Sequence, residues 1–448
     1  MIDRNRLAQL HQAEESRFVE SHPRSAALAA EAREHLMAGV PMPWMTRWPG
    51  AFPIFFDTAS GARFTDVDGL EYVDLCLGDT GAMTGHALPQ VAAAITERAT
   101  TGITTMLPSG DAVWVAGELA RRFGLPSWQM AMTATDANRF VLRFARYLTG
   151  RPKVAVMDWC YHGTVDETFA ILGKDGQTIA RPGSMGPQVD VALTTAVVPF
   201  NDLGALDRRL AEGDIAALLM EPALTNIGIV LPEDGYLDAV REITRRHGVL
   251  WIIDETHTLC AGPGGATAAW GLDPDMLVVG KPIGGGVPVA AYGFSAEIAE
   301  RLAEPLHRPE IDTAGVGGTL TGNALAIAAV RATLSSALRE EDFAVAIPLA
   351  ERFAEGVAGV IEKHRLPWHV QRLGCRAEYW FCPPPRNGAD AADASDEELD
   401  AFMHLWAINR GILLTPFHNM ALFSPHHTDA DVDLHTQVFG EAVEALLG

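Results

Sequence analysis

Two short apolar runs constrain the fold of this chain most strongly. Residues 249–254 read VLWIID and residues 276–281 read MLVVGK, so each run is apolar until it ends on a single charged residue. A continuous apolar run leaves no face for solvent, which predicts two strands covered on both sides, as in a parallel sheet flanked by helices. Asp254 and Lys281 would then lie at strand ends, where open α/β sheets bind their ligands.

An acid and an amine at nearby strand ends suit pyridoxal 5′-phosphate (PLP). The amine of Lys281 can form a Schiff base with the aldehyde of this cofactor, and the carboxylate of Asp254 can hold the proton on its pyridine nitrogen. A buried Asp–Lys ion pair or a capping aspartate would leave the same pattern in the sequence. The two residues alone therefore leave both interpretations open.

The charge balance bears on the partners of the protein. The chain has 34 Lys and Arg against 57 Asp and Glu, a net charge of −23, which argues against nucleic acid or an anionic membrane and favours small-molecule substrates. Residues 1–6 do not lead into a secretory apolar core, and no apolar run approaches the roughly 20 residues of a membrane helix. We expect a soluble, cytoplasmic protein whose five scattered cysteines are reduced packing residues.

The order of elements predicts the domains. Strand-like runs alternate with amphipathic helical patterns from about residue 65 to about residue 330, which indicates βαβ crossovers and a mostly parallel sheet. We therefore expect an N-terminal segment, 1–64, that joins the small domain, a large domain, 65–330, and a C-terminal α+β domain, 331–448. Residues 383–396 are rich in Pro, Ala and Asp and predict a solvated loop.

Two further segments are candidates for cofactor binding. Residues 133–137, TATDA, open an amphipathic helix, and a helix N-terminus favours a phosphate, although Thr135 could equally be an ordinary N-cap. Tyr161, His162 and Gly163 follow the next predicted strand. An aromatic side chain there could stack on a planar ring or lie in a surface turn.

Several competing motifs are absent. The Gly-Lys at 280–281 lacks the preceding glycine of a Walker A loop, and the glycines at 262–265 miss the dinucleotide-binding fingerprint. The chain has no G-x-S-x-G nucleophile elbow. Because His426, His427 and His435 are not spaced for one helical face, we predict no metal site there.

Taken in order, the motifs resemble those of the class III aminotransferases of PLP fold type I, close to the glutamate-1-semialdehyde aminomutase branch. The resemblance runs from about Ser25 to the C-terminus, and it implies an α/β fold with a mostly parallel, seven-stranded sheet in the large domain and a smaller α+β domain. The motifs that carry it are FTDVDG at 64–69, GH at 85–86, the helix start at 133–137, YHG at 161–163, EP at 221–222, DE at 254–255, GK at 280–281 with GGG at 284–286, and GTLTGN at 318–323.

The resemblance also assigns roles by position. Lys281 would be the Schiff-base lysine and proton carrier, and Asp254 would pair with the pyridine nitrogen. Tyr161 would stack on the ring, and Thr319 would reach the phosphate of a neighbouring subunit, which implies a homodimer with a shared active site. The full set of implied cofactor-binding residues is Ala134, Thr135, Tyr161, His162, Glu221, Asp254, Thr256, Lys281, Gly318 and Thr319.

Three departures from the family pattern concern the site. The helix start usually reads NSGTEA, so Ala134 stands where the backbone is normally bare, and a close phosphate contact requires a negative φ there. Thr256 replaces the usual valine under the ring and is followed by His257; both could tune the cofactor or be ordinary satisfied polar groups. The arginine that holds the substrate carboxylate in the aminomutase branch falls on Met45.

These features predict a PLP-dependent aminotransferase that moves an amino group from a primary amine or a (β-)amino acid to a 2-oxo acid or ketone by a ping-pong mechanism. One alternative is an aminomutase or racemase of the glutamate-1-semialdehyde aminomutase type, and another is a non-catalytic PLP-binding protein. Arg47 or Arg376 would either hold a substrate carboxylate or lie at the surface. The residues that the resemblance places at the substrate entrance favour a substrate with an apolar arm. The candidate substrate residues are Trp44, Met45, Arg47, Arg376 and His418.

Overall fold

A computed structural model describes residues 2–185, 189–308 and 313–448 of the chain and divides it into two compact units. Unit 1 contains Met1–Leu88, Glu341–Pro384 and Ala394–Gly448, and unit 2 contains Pro89–Glu340 and Pro385–Asp393. Unit 2 therefore begins later than the predicted boundary at residue 65. The reason is strand pairing, because residues 63–66 and 71–74 form a sheet with 412–413 of unit 1.

The described residues form sixteen strands. In chain order these are β1 Phe56–Ser60, β2 Arg63–Asp66, β3 Glu71–Asp74, β4 Ser127–Ala131, β5 Lys153–Met157, β6 Ala170–Leu172, β7 Thr178–Ala180, β8 Thr195–Val198, β9 Ile215–Met220, β10 Leu250–Asp254, β11 Met276–Val279, β12 Ala290–Phe294, β13 His369–Leu373, β14 Arg376–Trp380, β15 Ile412–Leu413 and β16 Met420–Leu422.

Fourteen α-helices connect or cover these strands in the described part of the chain. They are α1 Arg4–Ser21, α2 Pro23–Ala32, α3 Pro89–Thr101, α4 Asp111–Phe123, α5 Ala134–Thr149, α6 Leu203–Leu210, α7 Tyr236–His247, α8 Gly265–Ala269, α9 Ala296–Leu306, α10 Ala324–Ser336, α11 Glu340–His364, α12 Gly388–Asp393, α13 Glu397–Ile408 and α14 Asp429–Leu447.

The seven-stranded sheet of unit 2 has the order β4-β12-β11-β10-β9-β5-β8. Strand β12 runs antiparallel to both of its neighbours, and the other pairings are parallel. Every residue of β9, β10 and β11 is buried, as expected for strands covered on both faces. The predicted mostly parallel sheet, and the parallel pairing of the two apolar runs, are confirmed.

Helix α5 covers one face of this sheet. Its apolar residues recur at helical spacing, and Phe140, Val141 and Phe144 are buried in the core that also contains the strands of the sheet. Thr133 caps its N-terminus, because the Thr133 hydroxyl accepts a hydrogen bond from the Asp136 amide at 3.2 Å. Gly150, with φ +68°, ends the helix in the left-handed conformation that glycine adopts at little cost.

Unit 1 contains two smaller sheets. One has the order β1-β2-β3-β15, and the other has the order β13-β14-β16. Helix α14 begins with a capping box, in which Thr428 and Asp431 exchange hydrogen bonds.

Residues 383–396 are not the simple solvated loop that we predicted. They include helix α12, which belongs to unit 2, and a Cβ added at Gly388 would lie 2.4 Å from the carbonyl oxygen of Asp158. This close backbone approach fixes the segment against the large unit and is invisible in local composition.

All five cysteines are free thiols; four are buried and Cys382 is half-buried. Within the described ranges, none of the helices combines the length and the hydropathy that a membrane crossing requires.

Candidate active site

The two charged residues predicted at strand ends lie on neighbouring strands of unit 2. Asp254 is the last residue of β10 and pairs in register with Val278 of β11. Lys281 follows β11 after Gly280 and begins a short 3-10 helix, Lys281–Gly284. Both residues therefore lie at the carboxyl edge of the parallel strands, where a ligand is expected.

Asp254 is held as a buried carboxylate by three partners. Its Oδ2 accepts hydrogen bonds from Asn138 Nδ2 at 2.9 Å and from the His162 ring nitrogen Nδ1 at 3.0 Å, and its Oδ1 accepts one from the Thr256 amide at 3.1 Å. Burial alone would raise the pKa of Asp254, but the bond from His162 and the charge of its ring lower that pKa to about 2. The carboxylate is therefore ionised at neutral pH, and an ionised carboxylate acts only as a hydrogen-bond acceptor.

His162 is buried and carries the positive charge that balances Asp254. Burial alone would lower the pKa of His162, but the neighbouring Cys160 and the bond to Asp254 raise it to about 10. Tyr161, one residue earlier, is 37% exposed, and its ring meets Phe169 edge-on at 6.3 Å.

Lys281 has a strained backbone and a defined side-chain partner. Its φ of +45° lies in the left-handed region, which costs a non-glycine residue of the order of 1 kcal/mol or more and is typical of functional sites. Its Nζ lies 2.9 Å from His257 Nε2. This contact is compatible with both interpretations of His257, as a residue that tunes the cofactor and as a satisfied polar group.

The N-terminus of α5 lies beside Lys281 and the turn after β5. Ala134 is the first helical residue and has no positive φ, so the condition for a close phosphate contact is met. The N-cap is Thr133, so the interpretation of Thr135 as the N-cap is wrong; the Thr135 hydroxyl instead accepts a hydrogen bond from the Thr164 amide at 3.0 Å.

Two glycines allow this close packing around the helix start. A Cβ at Gly280 would lie 3.0 Å from Ala134 Cβ, and one at Gly163, whose φ is +76°, would lie 2.1 Å from the Thr135 hydroxyl. The free amides of the first helical turn thus stay accessible between two backbone segments without side chains.

These features fit PLP. Lys281 offers an amine for its aldehyde, Asp254 Oδ1 offers an acceptor for its ring N–H, and the first turn of α5 offers amide donors for its phosphate. All three groups lie in unit 2. The observation that decides the fit is a buried, ionised carboxylate at the end of β10, on the strand next to the one that leads to the Lys281 amine.

Four other predicted cofactor residues also lie in unit 2. Glu221 is buried and accepts a 2.5 Å hydrogen bond from the Thr225 hydroxyl, and Thr256 is buried next to Asp254. Gly318 and Thr319 are exposed and line a cavity of about 760 Å³ together with residues 104–108. Their contacts with a cofactor remain predictions.

The predicted substrate residues Trp44, Met45, Arg47, Arg376 and His418 all lie in unit 1. Met45 is half-buried in the short 3-10 helix Pro43–Arg47, and the other four form two groups. Trp44 meets the Phe417 ring edge-on at 5.9 Å, and the exposed Arg47 guanidinium lies over the same ring at 5.9 Å.

The second group surrounds a buried acid. Arg376 Nη2 and His418 Nδ1 lie 3.9 and 3.3 Å from the carboxylate of Glu378, and both Arg376 and Glu378 are fully buried. The surface interpretation of Arg376 is therefore wrong.

Sequence reasoning missed Asn138 and the pairing of His162 with Asp254. Asn138 is fully buried within α5 and donates a second hydrogen bond, at 3.1 Å, to the His162 carbonyl oxygen. The available signal was an amide residue on the otherwise apolar face of an amphipathic helix, since a buried amide needs partners.

Comparison with known proteins gives consistent results. The family model "Aminotransferase class-III" matches residues 44–433. A glutamate-1-semialdehyde 2,1-aminomutase of Chloroflexus aggregans is 34% identical over 451 residues, covering 95% of this chain and 99% of that protein.

Solved structures extend the similarity. A glutamate-1-semialdehyde aminomutase from Pseudomonas aeruginosa PAO1 is 49% identical with a TM-score of 0.97 and 99% coverage of both chains, and a lysine-to-alanine variant of it was solved in complex with PMP. An omega-transaminase from Sphaerobacter thermophilus is 28% identical with a TM-score of 0.86, over 95% of this chain and 98% of that one.

Proposed function

We propose that this chain, which belongs to the class-III aminotransferase family, is an aminomutase that moves an amino group between neighbouring carbons of one substrate. Its cofactor is PLP. The observation that carries the PLP chemistry is the buried, ionised Asp254 on the strand next to the one that leads to Lys281. The similarity to the Pseudomonas protein, 49% identical over nearly the whole length, supports the choice of an aminomutase.

In the proposed mechanism, residues of unit 2 hold the cofactor and transfer the proton. When bound, the cofactor withdraws electrons from the bonds at the substrate carbon that carries the amine. Asp254 Oδ1 keeps the proton on the ring nitrogen, and His162 and Asn138 keep Asp254 ionised and oriented. Lys281 Nζ, as a free amine, takes a proton from the substrate carbon and returns it elsewhere on the same skeleton. The first turn of α5 binds the phosphate and fixes the ring in place.

The relatives favour glutamate 1-semialdehyde as substrate. Two of the proteins compared above carry that substrate in their names. An isomerase of this kind needs no second substrate, because the amine that leaves one carbon is returned to the same skeleton. The aminotransferase predicted from the sequence would need a second substrate, and the relatives support it less than the aminomutase.

An aminotransferase acting on apolar amines or β-amino acids is the second candidate. The observation that favours it is Met45, which stands at the position of the carboxylate-binding arginine, close in sequence to Trp44, whose ring packs on Phe417. A thioether cannot replace the paired hydrogen bonds of a guanidinium. Such an enzyme would require an added 2-oxo acid or ketone to complete each cycle.

One pair of assays separates the two candidates. The holoenzyme is mixed with glutamate 1-semialdehyde, with and without an added 2-oxo acid, and the product is identified by chromatography. Formation of the isomer at the same rate in both reactions supports the aminomutase. A panel of hydrophobic amines is tested in the same way. If these amines react only once per enzyme unless the oxo acid is present, the aminotransferase replaces the aminomutase as the proposed function.

A further inference from the structure

The structure places the His257 side chain in a hydrogen bond with the ε-amine of Lys281. The distance between His257 Nε2 and Lys281 Nζ is 2.9 Å. An imidazole nitrogen and an amine at this distance share one proton, whichever of them carries it.

The backbone that carries His257 is fixed on both sides. Asp254 precedes it by three residues and is anchored by three partners, and the adjacent Glu255 is buried and accepts hydrogen bonds from the Thr258 hydroxyl at 2.5 Å and the Ala266 amide at 3.1 Å. The Leu259 amide donates to the Glu255 carbonyl oxygen at 2.9 Å and closes the turn. The imidazole is therefore presented from a rigid segment.

Lys281 by contrast has a long, flexible side chain. Four carbons separate its Cα from Nζ, so a free lysine would sample many rotamers before its amine met a carbonyl carbon. Its backbone is set by the strained φ of +45°, but that constrains only the first bond of the side chain. The hydrogen bond from His257 to Nζ restricts the remaining rotamers of the Lys281 side chain.

We infer that His257 is a positioning residue that holds the ε-amine of Lys281 through Nε2 in the orientation from which it attacks the aldehyde of PLP. This inference rests on the proposed use of PLP but not on the choice between aminomutase and aminotransferase. Because His257 acts through Lys281, replacing it should change the rate at which PLP is captured as well as the rate of turnover.

The test measures how fast the full-length, cofactor-free protein captures PLP at Lys281. PLP is added in excess, the reaction is stopped at intervals with borohydride, and modified peptides are quantified by mass spectrometry. The chain has only four lysines, so Lys153, Lys174 and Lys363 serve as internal references. We expect His257→Leu to slow capture at Lys281 by about tenfold or more relative to these lysines, since the oriented amine is lost.

Two further variants make the result specific. His257→Gln should capture PLP within about threefold of the wild-type rate, because its amide can hydrogen bond to Nζ. His247→Leu, which removes an imidazole at the opposite edge of the sheet, where α7 enters β10, should match the wild type.

Three results would overturn the inference. They are wild-type capture by His257→Leu, a His257→Gln variant as slow as His257→Leu, and a parallel slowing at the reference lysines, which would indicate a general loss of structure. Because capture is measured without substrate, failure of the proposed aminomutase activity would leave this test unaffected.

Discussion

At the scale of single residues, the site depends on one buried carboxylate that is prevented from becoming neutral. A buried Asp normally takes up a proton or loses stability, because burial penalises its charge. Here His162 supplies the compensating charge and Asn138 supplies a further donor, so the charge on Asp254 persists at the strand end where we propose that the cofactor ring binds.

Asp254→Asn tests the need for that charge. The amide keeps the shape but cannot hold a proton on the pyridine nitrogen, so we expect PLP to bind while the rate falls by more than about tenfold. The measurement is kcat together with the isotope effect for a deuterium at the reacting carbon, which should increase as proton removal becomes limiting. An unchanged rate would contradict the assigned role.

The pairing of His162 with Asp254 predicts a pH dependence of stability. The pKa of His162 is raised from 6.5 to about 10 in the folded protein, so its contribution is fully present below pH 6.5 and is lost as the pH rises through about 10. The pKa of Asp254, about 2, keeps that carboxylate ionised over this range. The difference in unfolding free energy between the cofactor-free wild type and His162→Gln should therefore shrink from pH 6.5 to pH 10, and a constant difference would be inconsistent with a protonated His162.

The sequence predicted the charged residues at the strand ends but not their partners. Asp254 and Lys281 are recognisable because each ends a local apolar run. His162 and Asn138 reach Asp254 across long stretches of chain, and His257 meets Lys281 only because β10 and β11 are adjacent. Such contacts depend on the tertiary fold, which local patterns do not encode.

At the scale of elements, α5 and the two glycine-bearing turns have the geometry expected of the proposed phosphate site. The helix and its neighbouring strand β5 were predictable from their periodicity and from the Gly-Arg-Pro stop after Thr149. The N-cap residue was not predictable, because Thr133 and Thr135 are both good N-caps. Only the tertiary contact of Thr135 with the turn after β5 decides between them.

Gly163→Ala tests this site, and Gly150→Ala is its matched control at the other end of the same helix. Both glycines have positive φ, so each substitution costs about 1 kcal/mol of backbone strain. Only Gly163 is crowded, since its added Cβ would lie 2.1 Å from the Thr135 hydroxyl, whereas nothing lies within 4 Å of a Cβ at Gly150. We expect PLP affinity, measured by titration of the cofactor-free protein, to fall by about tenfold or more only in Gly163→Ala. Equal losses of PLP affinity in both variants would contradict a phosphate site at the start of α5.

At the scale of the whole molecule, strand pairing between distant segments determines the two units. Residues 71–74 pair with 412–413, and residues 385–393 belong with the large unit, so both units are discontinuous in sequence. Composition and periodicity located the large α/β region approximately, but they could not assign these segments because the deciding contacts are non-local.

The exposed surface of unit 2 is the basis of a prediction about assembly. Ile103, Met106, Leu107 and Leu320 are large apolar residues with at least 40% exposure, near Thr319, which is also exposed. Because such surfaces commonly mark interfaces, and because the family resemblance implies a shared site, we expect a homodimer. Leu107→Asp should shift sedimentation towards monomer and release PLP in parallel, as should dilution of the wild type. A monomer with full activity would rule out a shared site.

Reduction of the bound cofactor onto the protein identifies the lysine that carries it and so tests the role of Lys281. The holoenzyme is treated with borohydride, digested and analysed by mass spectrometry, and Lys281, Lys153, Lys174 and Lys363 are the only four lysines that could carry the label. We expect one reduced adduct per chain, on Lys281, and its loss in Lys281→Ala together with all turnover. A stoichiometric adduct on another lysine, or full turnover by Lys281→Ala, would contradict it.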